Sequence, residues 1–344
     1  MTTRMRAEIA EQPAAVAATL EALLPLAGEI QRLGEGVRHV LFIARGSSDN
    51  AAVYGQYLCT VRGGRLATLA SPSVATSYRA QVDLRGVLAV AVSQSGRTEE
   101  IVTTQDWARE CGARTVAVTN VAGSPLAERA DLALVTRAGE ELAVPATKTY
   151  TTQLAALAVL GLALGRDHLL ERLGEVPAAI ERALLAADAA EALAVRLTYV
   201  QQLVVSARGY AYSVARELAL KLEEACYVTA LGLSYADLEH GPIAVVDEDT
   251  PALLLAAEHD TAMLGPMTAL ARRCRADGAH VYGIGGDAAF TDACDAALPD
   301  AGLPAELAPL TLAVPGQLLA EALARAKGID PDAPRALRKV TQTS

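Results

Sequence analysis

Short apolar runs alternate along this chain with stretches whose apolar residues recur at helical spacing. Val40-Leu41-Phe42-Ile43-Ala44 stops at the polar turn Arg45-Gly46-Ser47-Ser48-Asp49, and a helical pattern follows from Asn50 to Val61. The succession recurs at 87–92, with Ser93-Gln94-Ser95-Gly96-Arg97-Thr98 and a helical stretch over 99–111 behind it. It recurs again at 115–119, followed by a turn over 120–124. Apolar strands separated by helices predict a parallel sheet covered on both faces, an α/β fold. Such sheets take ligands at the carboxyl ends of their strands. Ahead of them, residues 1–36 set Val16, Leu20, Leu23 and Leu24 at helical spacing and close on Gly34 and Gly36, which predicts a helical arm.

The pattern then repeats. Val205-Ser206-Ala207-Arg208-Gly209-Tyr210 echoes Ile43-Ala44-Arg45-Gly46, with Arg208 lying 163 residues after Arg45. The same offset sets Ala252-Leu253-Leu254-Leu255 beside Ala89-Val90-Ala91-Val92, and an offset of 166 lays Gly278-Ala279-His280-Val281 on Gly112-Ala113-Arg114-Thr115. Three strand-turn units in register predict two related domains. The segmentation that follows is an arm at 1–36, a first domain at 37–164, linking helices at 165–200, a second domain at 201–325 and a tail at 326–344. The copies differ where ligands would bind. The first carries Ser47, Ser48, Ser93, Ser95 and Thr98 in its turns; the second has Gly209-Tyr210 and Ala257-Glu258-His259. An anion site is therefore expected in the first copy alone.

Composition narrows the function. The chain has 344 residues, 52% hydrophobic and 20% charged, enough to bury a sizeable core in two domains. A net charge of −10 and an aromatic share of 4% argue against nucleic acid and anionic membrane as partners. The five cysteines are scattered, without a CxxC pair, and read as core residues of a cytoplasmic protein. No apolar run looks long enough for a signal peptide or a membrane span, and the longest, near 154–164, reads as a buried helix.

Four clusters carry candidate chemistry. In Ser93-Gln94-Ser95-Gly96-Arg97-Thr98 a glycine and spaced hydroxyls precede a helix, whose free N–H groups and dipole suit a phosphate; the plain alternative is a helix cap. Ser47-Ser48 and Thr147-Lys148-Thr149 add hydroxyls in neighbouring turns. Glu217, Lys221 and Glu224 share one helix face, as a solvated charged stripe or as a buried base beside a lysine. His240 precedes the chain-reversing Gly241-Pro242, and Lys339 sits in the tail. No paired-histidine spacing supports a metal, and no cofactor is indicated.

These residues resemble the sugar isomerase (SIS) domain family, specifically the isomerase half of glucosamine-6-phosphate synthase. The likeness runs over nearly the whole chain: the Gly46-Ser47-Ser48 turn, Ser93-Gln94-Ser95-Gly96, Ala146-Thr147-Lys148, Ala219-Leu220-Lys221-Leu222, Glu239-His240-Gly241-Pro242 and the lysine tail. It implies two tandem SIS domains, each a three-layer, flavodoxin-like sheet flanked by helices. It also implies that Gly46, Ser47, Ser48, Ser93, Gln94, Ser95 and Thr98 hold a sugar phosphate, with Val144, Ala146 and Thr147 lining the pocket. Glu224 would move a proton between carbons 1 and 2, assisted by Lys221. His240, from the neighbouring subunit of a homodimer, would open the sugar ring, and Lys339 would approach the carbonyl.

Two departures refine the expectation. No cysteine stands near the N-terminus, so a glutaminase nucleophile, and glutamine as nitrogen source, are not expected. Arg97 stands where the synthases carry Glu. Arg97, the Arg45–Asp49 turn, Arg137-Ala138-Gly139-Glu140-Glu141 and Lys339-Val340-Thr341-Gln342-Thr343 are closer to the stand-alone glucosamine-6-phosphate deaminases of this fold. The expected ligand is thus a phosphorylated amino sugar. Isomerases or deglycases acting on other amino-sugar or fructosyl-amino-acid 6-phosphates, and a non-catalytic sugar-phosphate sensor, are the rival readings.

Overall fold

The computed structural model describes residues 2–299 and 301–339. Ten strands form two separate five-stranded parallel sheets. The first holds β1 (His39–Ile43), β2 (Leu66–Leu69), β3 (Val87–Val92), β4 (Arg114–Thr119) and β5 (Leu132–Val135), in the order β2-β1-β3-β4-β5. The second holds β6 (Gln202–Ala207), β7 (Thr229–Ser234), β8 (Ala252–Ala256), β9 (Val281–Gly285) and β10 (Ala296–Leu298), in the order β10-β9-β8-β6-β7. Read by position within each copy, both orders are 2-1-3-4-5, the doubly wound flavodoxin-like arrangement. The internal repeat is therefore a repeat of topology.

Each sheet is apolar on both faces because helices cover both. In β3, Leu88 to Val92 are fully buried, and β8 is buried from Ala252 through Ala256. The sequence exposes three strands per copy; β2, β5 and β10 are too short to stand out as runs, and in β7 Thr229, Gly232 and Ser234 interrupt the apolar residues. Each copy also ends in an 18-residue helix without an exposed face, Lys148–Gly165 in the first and Pro309–Ala326 in the second. Helices apolar all round belong in the interior. Lys148–Gly165 packs on Ser47–Val61, and Pro309–Ala326 packs on Tyr212–Cys226.

The chain divides into two compact units that are discontinuous in sequence. The first unit comprises Ala14–Glu141, Lys148–Glu175 and the tail from Arg338. The second comprises the N-terminal residues to Pro13, Leu142–Thr147 and Val176–Leu337. This partition differs from the sequence segmentation at four places: the arm is divided at Pro13, the 142–147 segment leaves the first domain, most of the linking helices join the second, and the tail is divided after Leu337. The cause lies in specific contacts. In the second unit, the Asp332 carboxylate accepts from the backbone N–H groups of Arg4 and Met5, and Glu8 accepts from those of Leu142 and Ala143.

One expectation needs correcting. Gln12–Leu33 forms a 22-residue helical stretch with a mean hydropathy of 1.3, long and apolar enough by length and composition to cross a bilayer. It is two helices, Gln12–Leu23 and Ala27–Leu33, separated by a 3₁₀ turn at Leu24–Leu26. Scattered charges hid it from inspection as a run. Within the first unit it is anchored: Thr19 donates its hydroxyl to the Thr136 carbonyl, and Arg65 donates to the Gly34 carbonyl at 3.3 Å.

Candidate active site

In the first sheet the strand order reverses between β1 and β3, which opens a crevice at their carboxyl ends. Both hydroxyl-bearing turns lie there. Gly46 takes φ +57° and hands the chain to the helix Ser47–Val61, so Ser47 and Ser48 fall in its first turn. Across the crevice, Ser93 follows β3 directly, and Thr98 is the N-cap residue of the helix Glu99–Glu110. Arg45 spans the two turns through an ion pair of 3.0 Å with Glu100.

The second turn is built tightly. Gly96 has φ +61°, and a Cβ there would stand 2.2 Å from Ser124 Oγ and 2.8 Å from Thr119 Oγ1. Its N–H donates to the Ser93 carbonyl at 3.1 Å, and the Gln94 carbonyl accepts from the Asn120 N–H at 3.0 Å. The plain capping role does not hold for Thr98, whose hydroxyl makes no capping hydrogen bond. Ser95 Oγ accepts from the Arg97 N–H at 3.3 Å. With two helix N-termini and several side-chain hydroxyls around it, the crevice is chemically an anion cradle.

The carboxylate cluster lies in the second unit, on the helix Tyr212–Cys226. The alternative of a solvated stripe fails on burial: Lys221 is 1% and Glu217 2% exposed. Lys221 Nζ donates to Glu224 Oε2 and lies 3.4 Å from Glu217 Oε1. The buried ammonium thus lies between two carboxylates, of which Glu224, 23% exposed at its side chain, is the one that solvent reaches. Burial raises the neighbouring Glu223 carboxyl above its ordinary value, against an opposing hydrogen bond from Ala230. An open groove of about 580 Å³ adjoins Glu224, lined also by Tyr227, Thr229 and Arg335. Arg335 stacks over the Tyr227 ring at 4.2 Å and donates its N–H to Tyr227 Oη at 2.7 Å.

The remaining expected residues are placed as follows. His240 is exposed at the end of the short helix Tyr235–Glu239, and its ring makes no hydrogen bond or ion pair with any described residue. Val144 donates its N–H to the Asp332 carbonyl at 3.3 Å, Ala146 is half-buried, and the buried Thr147 accepts through its carbonyl from Gln317 Nε2 at 3.2 Å; all three lie in the second unit. Lys339, in the first unit, pairs at 2.5 Å with Glu141 Oε2. The matching tail residues Val340 to Thr343 lie outside the described residues. Glu141 stands in the sequence only as a member of the Arg137–Glu141 motif, with nothing there to tie it to Lys339. All five thiols are unpaired, and burial pushes Cys59 and Cys226 up to about 12. Among the described residues no group of three or more His, Cys, Asp or Glu side chains could hold a metal.

Tandem doubly wound sheets, one bearing an anion cradle and the other a buried carboxylate–lysine cluster, define an α/β protein of the phosphosugar isomerase class. The chain belongs to the SIS domain family, whose model matches residues 36–163 and again 197–318. It is 34% identical over 343 residues to a glutamine–fructose-6-phosphate aminotransferase (isomerizing) from Methanothermobacter thermautotrophicus. That alignment takes in 97% of this chain and 56% of that protein, so the chain spans little more than half the length of the curated relatives it matches. Among solved structures, the C-terminal domain of the corresponding Francisella tularensis aminotransferase superposes with a TM-score of 0.88 at 28% identity, covering 97% of this chain and 99% of that one. A glucosamine-6-phosphate deaminase from Thermotoga maritima shares the fold, with a TM-score of 0.79 at 23% identity over 99% and 100% of the two chains.

Proposed function

We propose that the protein is a glucosamine-6-phosphate deaminase, converting glucosamine 6-phosphate and water to fructose 6-phosphate and ammonia. The observation that carries the reading is the buried Glu217–Lys221–Glu224 cluster, in which a solvent-reached carboxylate is poised beside a fixed ammonium. Likeness to the stand-alone deaminases at Arg97, at the Arg45–Asp49 turn and at 137–141 selects this reaction within the class. In this reading the turns after β1 and β3 hold the phosphate. His240, contributed by the partner subunit of a homodimer, opens the ring to an aldehyde at carbon 1. Glu224 takes the proton from carbon 2, giving an enaminol, and returns it at carbon 1. The resulting ketimine at carbon 2 is hydrolysed by water, which releases ammonia. Lys221 holds Glu224 in place, and Lys339 stabilises charge developing at the carbonyl.

The groove beside Glu224 favours a second reading. Its volume and its Arg335 would suit a substrate whose nitrogen carries an amino acid, as in a fructosyl-amino-acid 6-phosphate. The test is a mass balance on purified protein with glucosamine 6-phosphate and no glutamine. Equimolar ammonia and fructose 6-phosphate support the deaminase. Neither product from folded protein overturns it, and turnover of fructosyl-amino-acid 6-phosphates would then establish the second reading.

A further inference from the structure

Lysine is scarce here: of the 30 lysines and arginines, only Lys148, Lys221, Lys327 and Lys339 are lysines. Wherever a cation on the surface suffices, the chain uses arginine. Lys221 and Lys339 both sit instead against buried carboxylates. Lys339 follows the last described helix, which ends at Ala326, so side-chain contacts rather than a backbone ladder must order it. The contact it makes is with Glu141, whose side chain is wholly buried. That carboxylate is immobilised from the other side by the helix Lys148–Gly165: Thr149 donates its N–H to Oε1 at 3.0 Å and its hydroxyl to Oε2 at 2.6 Å. Burial alone would raise the Glu141 carboxyl; the charge and hydrogen bond of Lys339, with the two bonds from Thr149, outweigh it and hold the group below its ordinary value. A buried carboxylate stripped of its cation is strongly disfavoured. Glu141 therefore demands an ammonium at this place, and the tail supplies one.

We propose that Glu141 is the positioning residue for Lys339, a rigid buried carboxylate that docks the tail ammonium and fixes where it is presented. The inference rests on the reading above, in which Lys339 approaches the substrate carbonyl. It predicts that Glu141 governs turnover and leaves phosphate recognition alone.

The test uses the full chain with Glu141→Gln, Lys339→Met, the double variant and Glu141→Asp. Glu141→Gln should lower kcat roughly 10- to 100-fold, as a displaced reacting group does, with KM nearly unchanged. Glu141→Asp, which keeps the charge, should recover part of the loss. The double variant should be no slower than Lys339→Met alone. Losses that multiply in the double variant, or a raised KM with normal kcat, would overturn the proposal. A second readout needs no activity: limited acylation of the four lysines followed by mass spectrometry. Lys339 should label severalfold faster in Glu141→Gln than in the unaltered protein, relative to Lys327. Unchanged labelling overturns the docking. Faster labelling in a protein that releases no ammonia sinks the deaminase reading alone and leaves the docking standing.

Discussion

The two sheets are near-copies in topology whose turns carry different side chains. Both wind in the order 2-1-3-4-5, and both place a glycine of positive φ at the corresponding turn: Gly46 at +57° and Gly209 at +65°. After Gly46 comes Ser47-Ser48 at a helix start. After Gly209 comes Tyr210, buried in a 3₁₀ turn. The turn after β3 carries hydroxyls, while the turn after β8 carries Ala257, Glu258 and His259. Both copies share the backbone geometry, and the turn hydroxyls are present in one. The second copy instead bears a charged cluster inside its helix Tyr212–Cys226, where the first copy's Ser47–Val61 has none. Topology supplies the crevice, and a handful of side chains decide whether it is used.

The largest effect expected from this division belongs to the second unit. Glu224→Gln should cut kcat by roughly 10²–10⁴-fold, the usual contribution of a general base, while calorimetry still shows fructose 6-phosphate binding. Near-normal turnover would break the assignment of chemistry to that copy. Next comes the first unit's cradle. Gly96→Ala forces a left-handed alanine and a clash with Ser124, a strain of about 1–3 kcal/mol that should weaken phosphate-ligand affinity roughly 5- to 150-fold. A kcat loss at constant affinity would contradict it.

A paired experiment sharpens the comparison. Gly46→Ala and Gly209→Ala should each lower stability by about 1–3 kcal/mol in denaturant melts, the cost of a positive φ for a residue that carries a Cβ. Gly46→Ala alone should also raise KM; equal effects on KM would mean that the second crevice binds ligand too. The smallest effect tests a link with no counterpart. Arg62 pairs with Asp167 at 2.7 Å in the first unit, whereas the repeat offset of 163 residues sets the uncharged Ala225 opposite Arg62 and Asp330 opposite Asp167, so the cation of the pair is missing there. Although partial burial opposes it, the Arg62 bond and the Leu169 N–H hold Asp167 below its ordinary value. Asp167→Asn should then cost up to about 1 kcal/mol at neutral pH. Because the folded value is the depressed one, this contribution is complete above the ordinary carboxylate range and fades as pH falls through the folded value. Melts showing the same difference at low and neutral pH would refute it.

The periodicity of the chain determined much of this protein. Apolar runs ending in polar turns define β1, β3, β4, β6, β8 and β9, and a repeat near 163 residues defines two copies of one sheet. The hydroxyl turns were legible because they follow strands whose burial makes them conspicuous. Other features required the tertiary structure. The charged face at 217–224 reads equally as solvated or buried, since helical spacing records which residues share a face and not what that face meets; the burial of Lys221 decided it. Glu141 lies 198 residues before Lys339, and no spacing rule connects a loop carboxylate to a tail lysine across that distance. Likewise the compact units cut through the arm and the linking helices, because long-range hydrogen bonds such as those of Glu8 and Asp332 outweigh chain continuity. Local pattern is written in neighbours along the chain, and contacts such as that of Glu141 with Lys339 are made between residues far apart in it.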